Sequence, residues 1–157
     1  MDKINSGISA EDRQRLAEGL SRVLADSYTL YLKTHNYHWN VEGPNFKAFH
    51  DLFEEQYTDL ATAVDDIAER IRALGHRAPG SYSEFMEIGA IKEDTGHPDA
   101  MTMVRRLAED QETVANTCRQ VLETAGEAND VATDDLLSER VKVHEKNAWM
   151  LRAHLSQ

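Results

Sequence analysis

Between Pro44 and Leu74 the apolar residues Phe46, Phe49, Phe53, Tyr57, Leu60, Val64, Ile67, Ile71 and Leu74 recur at spacings of 3, 4, 4, 3, 4, 3, 4 and 3. No glycine or proline interrupts the run, which therefore follows the 3.6-residue period of a helix with one buried face. A helix is predicted over 44–74, with Gly75 as its stop. A second amphipathic stretch, 9–36, carries Leu16, Leu20, Val23, Leu24 and Tyr31 on one side. Ser9 reads as its N-cap, and Asp12 suits the positive end of the helix dipole. Two more stripes follow. Val104, Leu107, Val114, Cys118, Val121 and Leu122 predict a helix over 98–125, closed by Gly126. Leu137, Val141, His144, Ala148 and Leu151 predict another over 133–155. Between 76 and 97, Pro79-Gly80 and Gly96 break the pattern, leaving SYSEFMEIG as a short helix capped by Ser81 or Ser83.

Four long amphipathic helices with no strand pattern between them predict an all-α four-helix bundle, with a short extra helix in the long connection between the second and third. The 157 residues suit one domain, with residues 1–8 as a short N-terminal tail. Composition changes this picture in three ways. A net charge of −11 repels nucleic acid and anionic membranes and attracts cations. Cys118 is the sole cysteine, so no internal disulfide forms and no oxidising compartment is required. The start of the chain lacks the apolar segment of a signal peptide, and no apolar run approaches the ~20 residues of a membrane span. The expectation is a soluble cytoplasmic protein.

The chemistry gathers on the second helix. Residues three or four apart share a helix face, so His50 and Glu54 form one ligand pair and Asp65 and Glu69 another. Either pair alone is common on a solvated acidic face. Together they say more. His50 lies 15 residues before Asp65, ~22 Å along the helix, so one ion cannot touch both pairs of one chain. Yet 50 and 69 share the midpoint 59.5 with 54 and 65. Two copies of this helix crossing antiparallel at that point bring His50 and Glu54 of one against Asp65 and Glu69 of the other. A two-fold dimer makes two such sites at once. Thr58 and Ala61, between the pairs, are small enough for close approach.

Imidazole with several carboxylates and no thiolate suits iron or manganese, with zinc as a competitor. His38 is placed to complete the shell, because the Gly43-Pro44 turn folds it back towards His50. A di-iron centre inside a single bundle uses Glu-x-x-His motifs, and no glutamate here has a histidine three residues on. Two other readings compete. One is a mononuclear zinc hydrolase or transferase using His35, His38 and His50; the other is a DNA-condensing architectural protein, which the charge balance opposes.

HWNVEGPNFKAFHDLFEE followed by AVDDIAERIRALG resembles the Dps family, ferritin-like mini-ferritins named for DNA protection in starved cells. The resemblance spans nearly the whole chain, including GEANDVATDD before the last helix. It implies a ferritin-like bundle assembled into a hollow dodecamer, with ferroxidase centres at the two-fold interfaces. There Fe(II), two ions per site, is oxidised by hydrogen peroxide and ferric mineral is stored inside, against oxidative stress. By position His38, His50 and Glu54 would be ligands from one subunit, and Asp65 and Glu69 from its partner. Trp39 would be an electron donor during peroxide turnover, and Asp130 and Asp135 would line an iron-entry pore. Two features depart from the family. Residue 54 is glutamate where well-known members carry aspartate. The first 15 residues balance Lys3, Arg13 and Arg15 against Asp2, Glu11 and Asp12, unlike the basic tails of DNA-binding members. Direct DNA binding is therefore expected to be weak or absent, and a nucleoid location would need another link.

Overall fold

A computed structural model describes residues 3–156 and contains five helices: α1 (Ala10–Asn40), α2 (Phe46–Ala73), α3 (Tyr82–Ile88), α4 (Ala100–Glu127) and α5 (Val131–Ala153). Residues 1 and 2 of the expected tail lie outside the described residues. No strand occurs among the described residues. The helix α1 packs along α2, and α4 along α5; the two hairpins close on each other through α1–α4 and α2–α5 contacts. The connection from α2 to α4 carries α3, which rests on α1. No helix among the described residues is long and apolar enough to cross a membrane.

The caps explain most boundaries. The Ser9 hydroxyl accepts from the Asp12 amide at 3.1 Å. Ser81, not Ser83, caps α3 in a reciprocal box, with the Glu84 carboxylate accepting from the Ser81 amide. That carboxyl is held down to about 2 by the Gly80 amide, then by Ser81 and Arg77. Gly75 sits at φ +92°, and a Cβ there would come 2.3 Å from Ile4 Cδ1, so the N-terminal segment lies across the end of α2.

Most boundaries shift by a few residues from expectation, α2 and α4 each starting two residues later than expected, and three shifts have a visible cause. The helix α1 continues to Asn40, because the chain is free to stay helical until the turn at Gly43, where φ is +120°. Gly126 does not end α4, which runs on to Glu127; the left-handed residue is Asn129, at φ 54°. The last helix starts at Val131 rather than Thr133, since Asp130 caps it by accepting from the Thr133 amide.

The core is apolar at its ends and polar in places at its middle. Leu16, Leu20, Phe53, Leu60, Ile67 and Leu107 are fully buried, as is Cys118, whose thiol burial raises to about 12. Among them lies Asp26, also buried, which accepts from the amides of Ala90 and Ile91 at 2.6 and 3.2 Å and from the Thr117 hydroxyl at 2.8 Å. One carboxylate thereby fastens the segment after α3 to α1 and α4. Lys33 reinforces the join through Asp110 at 2.8 Å and the Lys92 carbonyl at 2.9 Å. On the other side, Arg140 of α5 pairs with Asp59 of α2 at 2.9 Å and donates to His144 Nε2 at 3.2 Å. His144 Nδ1 donates in turn to Gln111 of α4 at 2.6 Å.

Asp26→Ala leaves the Ala90 and Ile91 amides and the Thr117 hydroxyl without this acceptor, so it should lower stability by roughly 2–4 kcal/mol, read by denaturant unfolding at fixed protein concentration. A second outcome concerns acid. Burial, then the adjacent Arg140 charge, depress the His144 imidazole from 6.5 to about 3. The unfolded chain takes up this proton near its ordinary pKa while the folded chain refuses it. Stability from this site is therefore complete above about 6.5 and drains away as pH falls towards 3. Melting temperatures measured across that range should fall less steeply for His144→Gln than for the parent.

Candidate metal centre

The residues that anchor the centre meet across a short turn. Val41 ends α1 and is buried, Gly43 adopts a positive φ, and the Gly43 carbonyl accepts from the Phe46 amide at 3.0 Å to start α2. The last turn of a helix leaves carbonyls without amide partners. His38 lies in that turn, and its carbonyl accepts from His50 Nδ1 at 2.8 Å. The exchange is mutual, since His38 Nδ1 donates to the His50 carbonyl at 2.7 Å. The two rings stack, with centroids 3.8 Å apart and planes 14° from parallel.

A carbonyl oxygen can only accept, so each Nδ1 must carry the hydrogen. The neutral rings then hold their lone pairs on Nε2, the state in which imidazole ligates a metal. Aromatic walls hold the pair in place: Phe46 stacks on His50 with centroids 5.0 Å apart, and Tyr57 meets His38 edge-on at 5.2 Å. His38 is buried, His50 half-buried and Glu54 exposed. Burial, and next the neighbouring Glu54 carboxylate, raise the Tyr57 phenol, so that hydroxyl stays protonated beside the acid.

Asp65 and Glu69 sit further along α2, both exposed. A hydrogen bond donated by the protonated Glu69 carboxyl to Asp65, and next the Asp65 charge, raise the Glu69 carboxyl. A cation between them would relieve that repulsion. Beside Asp65 opens an apolar groove of about 540 Å³, lined by Ala61, Val64 and Ala68 of α2, Tyr28 of α1 and Tyr82 and Phe85 of α3. Among the described residues, no three His, Cys, Asp or Glu side chains of this chain gather in a way that could hold a metal ion. One chain thus presents two partial donor sets, one at the junction of α1 and α2 and one further along α2, and not a complete one.

The three-histidine arrangement is not assembled. His35 lies in an aromatic stack, 4.3 Å from Tyr57 and 3.9 Å from Trp39, with its ring centroid 6.1 Å from that of His38. Burial, followed by His38, lowers its basicity. Trp39, 57% exposed, covers the outer side of that stack. Asp130 is 3% exposed; besides capping α5 it accepts from Arg70 at 2.8 Å, while Asp135 is exposed just after the first turn of α5. Sequence spacing missed Tyr57, which it assigned to the core stripe. The available signal was its position one turn from Glu54.

The Ferritin-like domain family matches residues 17–157. A DNA protection during starvation protein of Bacillus anthracis is 40% identical over 144 residues, covering 92% of this chain and 99% of that protein. The Dps protein of Vibrio cholerae O1, described as a member of a superfamily of ferritin-like diiron-carboxylate proteins, superposes with a TM-score of 0.93 at 36% identity, over 99% of this chain and 98% of that one. This chain belongs to the Dps family. Its bundle with the short α3 is the ferritin-like fold of that family. A low temperature-induced protein of Nostoc is 41% identical over 157 residues, covering 99% of this chain and 88% of that protein, so the similarity extends to Dps relatives named for other stresses.

The raised Glu69 carboxyl makes metal addition measurable without turnover. Zn(II) added to the Dps protein in mildly acid solution should displace protons from its ligands, and the release should shrink as pH rises. Calorimetry in buffers of different ionisation enthalpy reads this release, and Glu69→Gln should reduce it.

Proposed function

We propose that this Dps protein oxidises Fe(II) with hydrogen peroxide at centres shared between two subunits and stores the ferric product inside a hollow dodecamer. The observation that carries this reading is the reciprocal His38–His50 bond, which fixes Nε2 of each imidazole as the free donor at the junction of α1 and α2, with the acid pair Asp65 and Glu69 further along α2. His38, His50 and Glu54 of one subunit and Asp65 and Glu69 of its two-fold partner would hold two ferrous ions, taken up as substrate. The donor set of imidazole and carboxylate fits iron and leaves zinc as a competitor.

Two electrons leave together. Two Fe(II), one hydrogen peroxide and two protons give two Fe(III) and two waters, and peroxide is not split into a hydroxyl radical. Carboxylates favour the higher charge of the ferric product, and the Nε2 donors keep the ions in place while charge builds. Trp39, in van der Waals range of His35, would supply an electron when a centre holds a single ferrous ion. Asp135 is the better placed of the two pore candidates to meet an incoming ion, because Asp130 is engaged by Arg70 and the α5 amides. A net charge of −11 concentrates cations at the surface and disfavours phosphate backbones, so protection would act through iron and peroxide rather than through direct DNA contact. A cytoplasmic location fits that role.

Asp65→Ala with Glu69→Ala should abolish peroxide-dependent Fe(II) oxidation, followed by absorbance of the ferric product, as should His38→Ala with His50→Ala. Co-expressing the two double variants gives the decisive result. Each mixed two-fold pair contains one intact centre and one lacking both halves, so random mixing should restore about a quarter of the centres. If the mixture stays as inactive as its parents, the centres are not shared between subunits. Retained activity in either double variant would refute the ligand assignment itself.

A further inference from the structure

The middle of the bundle holds a set of polar atoms that the metal centre does not use. Ser27 Oγ, Thr34 Oγ1, both amide atoms of Gln56, Gln111 Nε2 and Arg140 Nε are buried without a hydrogen-bond partner among the described residues. Ser27, Thr34, Gln111 and His144 are 0% exposed, Gln56 3% and Arg140 5%. A buried amide or hydroxyl with no partner is strongly disfavoured, and a native core carries few of them. Six on one set of facing helix surfaces require a common explanation.

Cross-helix contacts place these residues close together. Tyr31 meets Tyr57 and His38 meets His50, which sets Gln56 of α2 level with position 32 of α1. Lys33–Asp110 and Asp26–Thr117 set Gln111 of α4 level with the same position. Asp59–Arg140 and the Gln111–His144 bond bring His144 to that level on α5. Thr34 lies two residues to one side, ~3 Å away along the axis. Ser27 and Arg140 lie about one turn to the other side. Leu30, Phe53, Leu60, Leu107 and Val114, all fully buried, separate this layer from solvent.

We infer that the layer is a binding site for ordered water, integral to the fold. The donors and acceptors suit it. Gln56 offers a carbonyl and an amino group, Gln111 an amino group, Arg140 one N–H, and Ser27 and Thr34 hydroxyls that work both ways. An internal water makes about three hydrogen bonds, so six open atoms correspond to about two molecules, one on each side of Gln56. A cation is excluded by the Arg140 guanidinium, and both His144 nitrogens are already engaged, one donating to Gln111 and one accepting from Arg140. Di-iron bundle proteins project Glu-x-x-His ligands into the bundle core, whereas here amides, hydroxyls and water line the core. The inference is independent of the ligand assignment on α2.

A crystal structure of the assembled, unaltered protein, soaked with Mn(II) and refined at a resolution that orders solvent, tests the site directly. Solvent density bridging Gln56 to Gln111 or Thr34 is expected, with no anomalous signal in the layer. Gln56→Leu and the smaller change Thr34→Val test whether the water matters. If the layer is hydrated, each substitution strands the remaining groups and should lower the melting temperature by ~2–6 °C. A layer without solvent density, an anomalous peak within it, or variants that melt higher than the parent would each overturn the inference. Thr34→Val keeps the test open if Gln56→Leu does not assemble.

Discussion

The bond exchanged between His38 and His50 is the constraint on which the functional end of the molecule depends. Each hydrogen bond contributes only about 1 kcal/mol net, but the pair imposes three conditions together. It satisfies a carbonyl left open where α1 ends, fixes the angle at which α2 begins, and dictates the tautomer of both rings. The turn can make it because Gly43 accepts a positive φ, and because Val41 is buried just before it. Phe46 and Tyr57 then close on the stacked rings, so neither can rotate without losing aromatic contact.

The rest of α2 follows from that anchor. A straight helix cannot bring Asp65 and Glu69 back to His50, and the structure leaves these acids facing outwards beside an apolar groove. Their mutual repulsion is tolerable because both are solvated, and it makes the pair receptive to a cation. The symmetry of the positions about the helix centre means a single two-fold operation serves both ends. A centre divided as proposed would exist only in an assembly, tying chemistry to oligomerisation.

Elsewhere the bundle is held in register by charged and polar groups inside it. Asp26 gathers the chain after α3, Lys33 with Asp110 joins α1 to α4, and Asp59, Arg140, His144 and Gln111 link α2, α5 and α4. Apolar stripes alone permit helices to slide or rotate by a turn. A buried charge that must meet its partner does not, because an unpaired one is far more costly than a shifted leucine.

The number of helices, their order and their buried faces were legible because periodicity and caps are local: a stripe at 3.6 spacing and a serine ahead of an acidic turn act within a few residues. So was the distance between the pair His50–Glu54 and the pair Asp65–Glu69, since α2 is one continuous helix and helix rise converts sequence distance directly into length. The boundaries at Gly126 and Thr133 misled, because a glycine can sit inside a helix and Asp130 caps α5 two residues earlier. What only the tertiary structure decided was which polar residues are internal. Asp26 and Arg140 look like surface residues in the sequence, and Tyr57 looks like core. Their partners lie up to 91 positions away, as with Asp26 and Thr117, and no local pattern encodes such a meeting. His35 shows the same limit: its spacing matched that of a ligand, and the aromatic rings of two helices turned it into part of a wall.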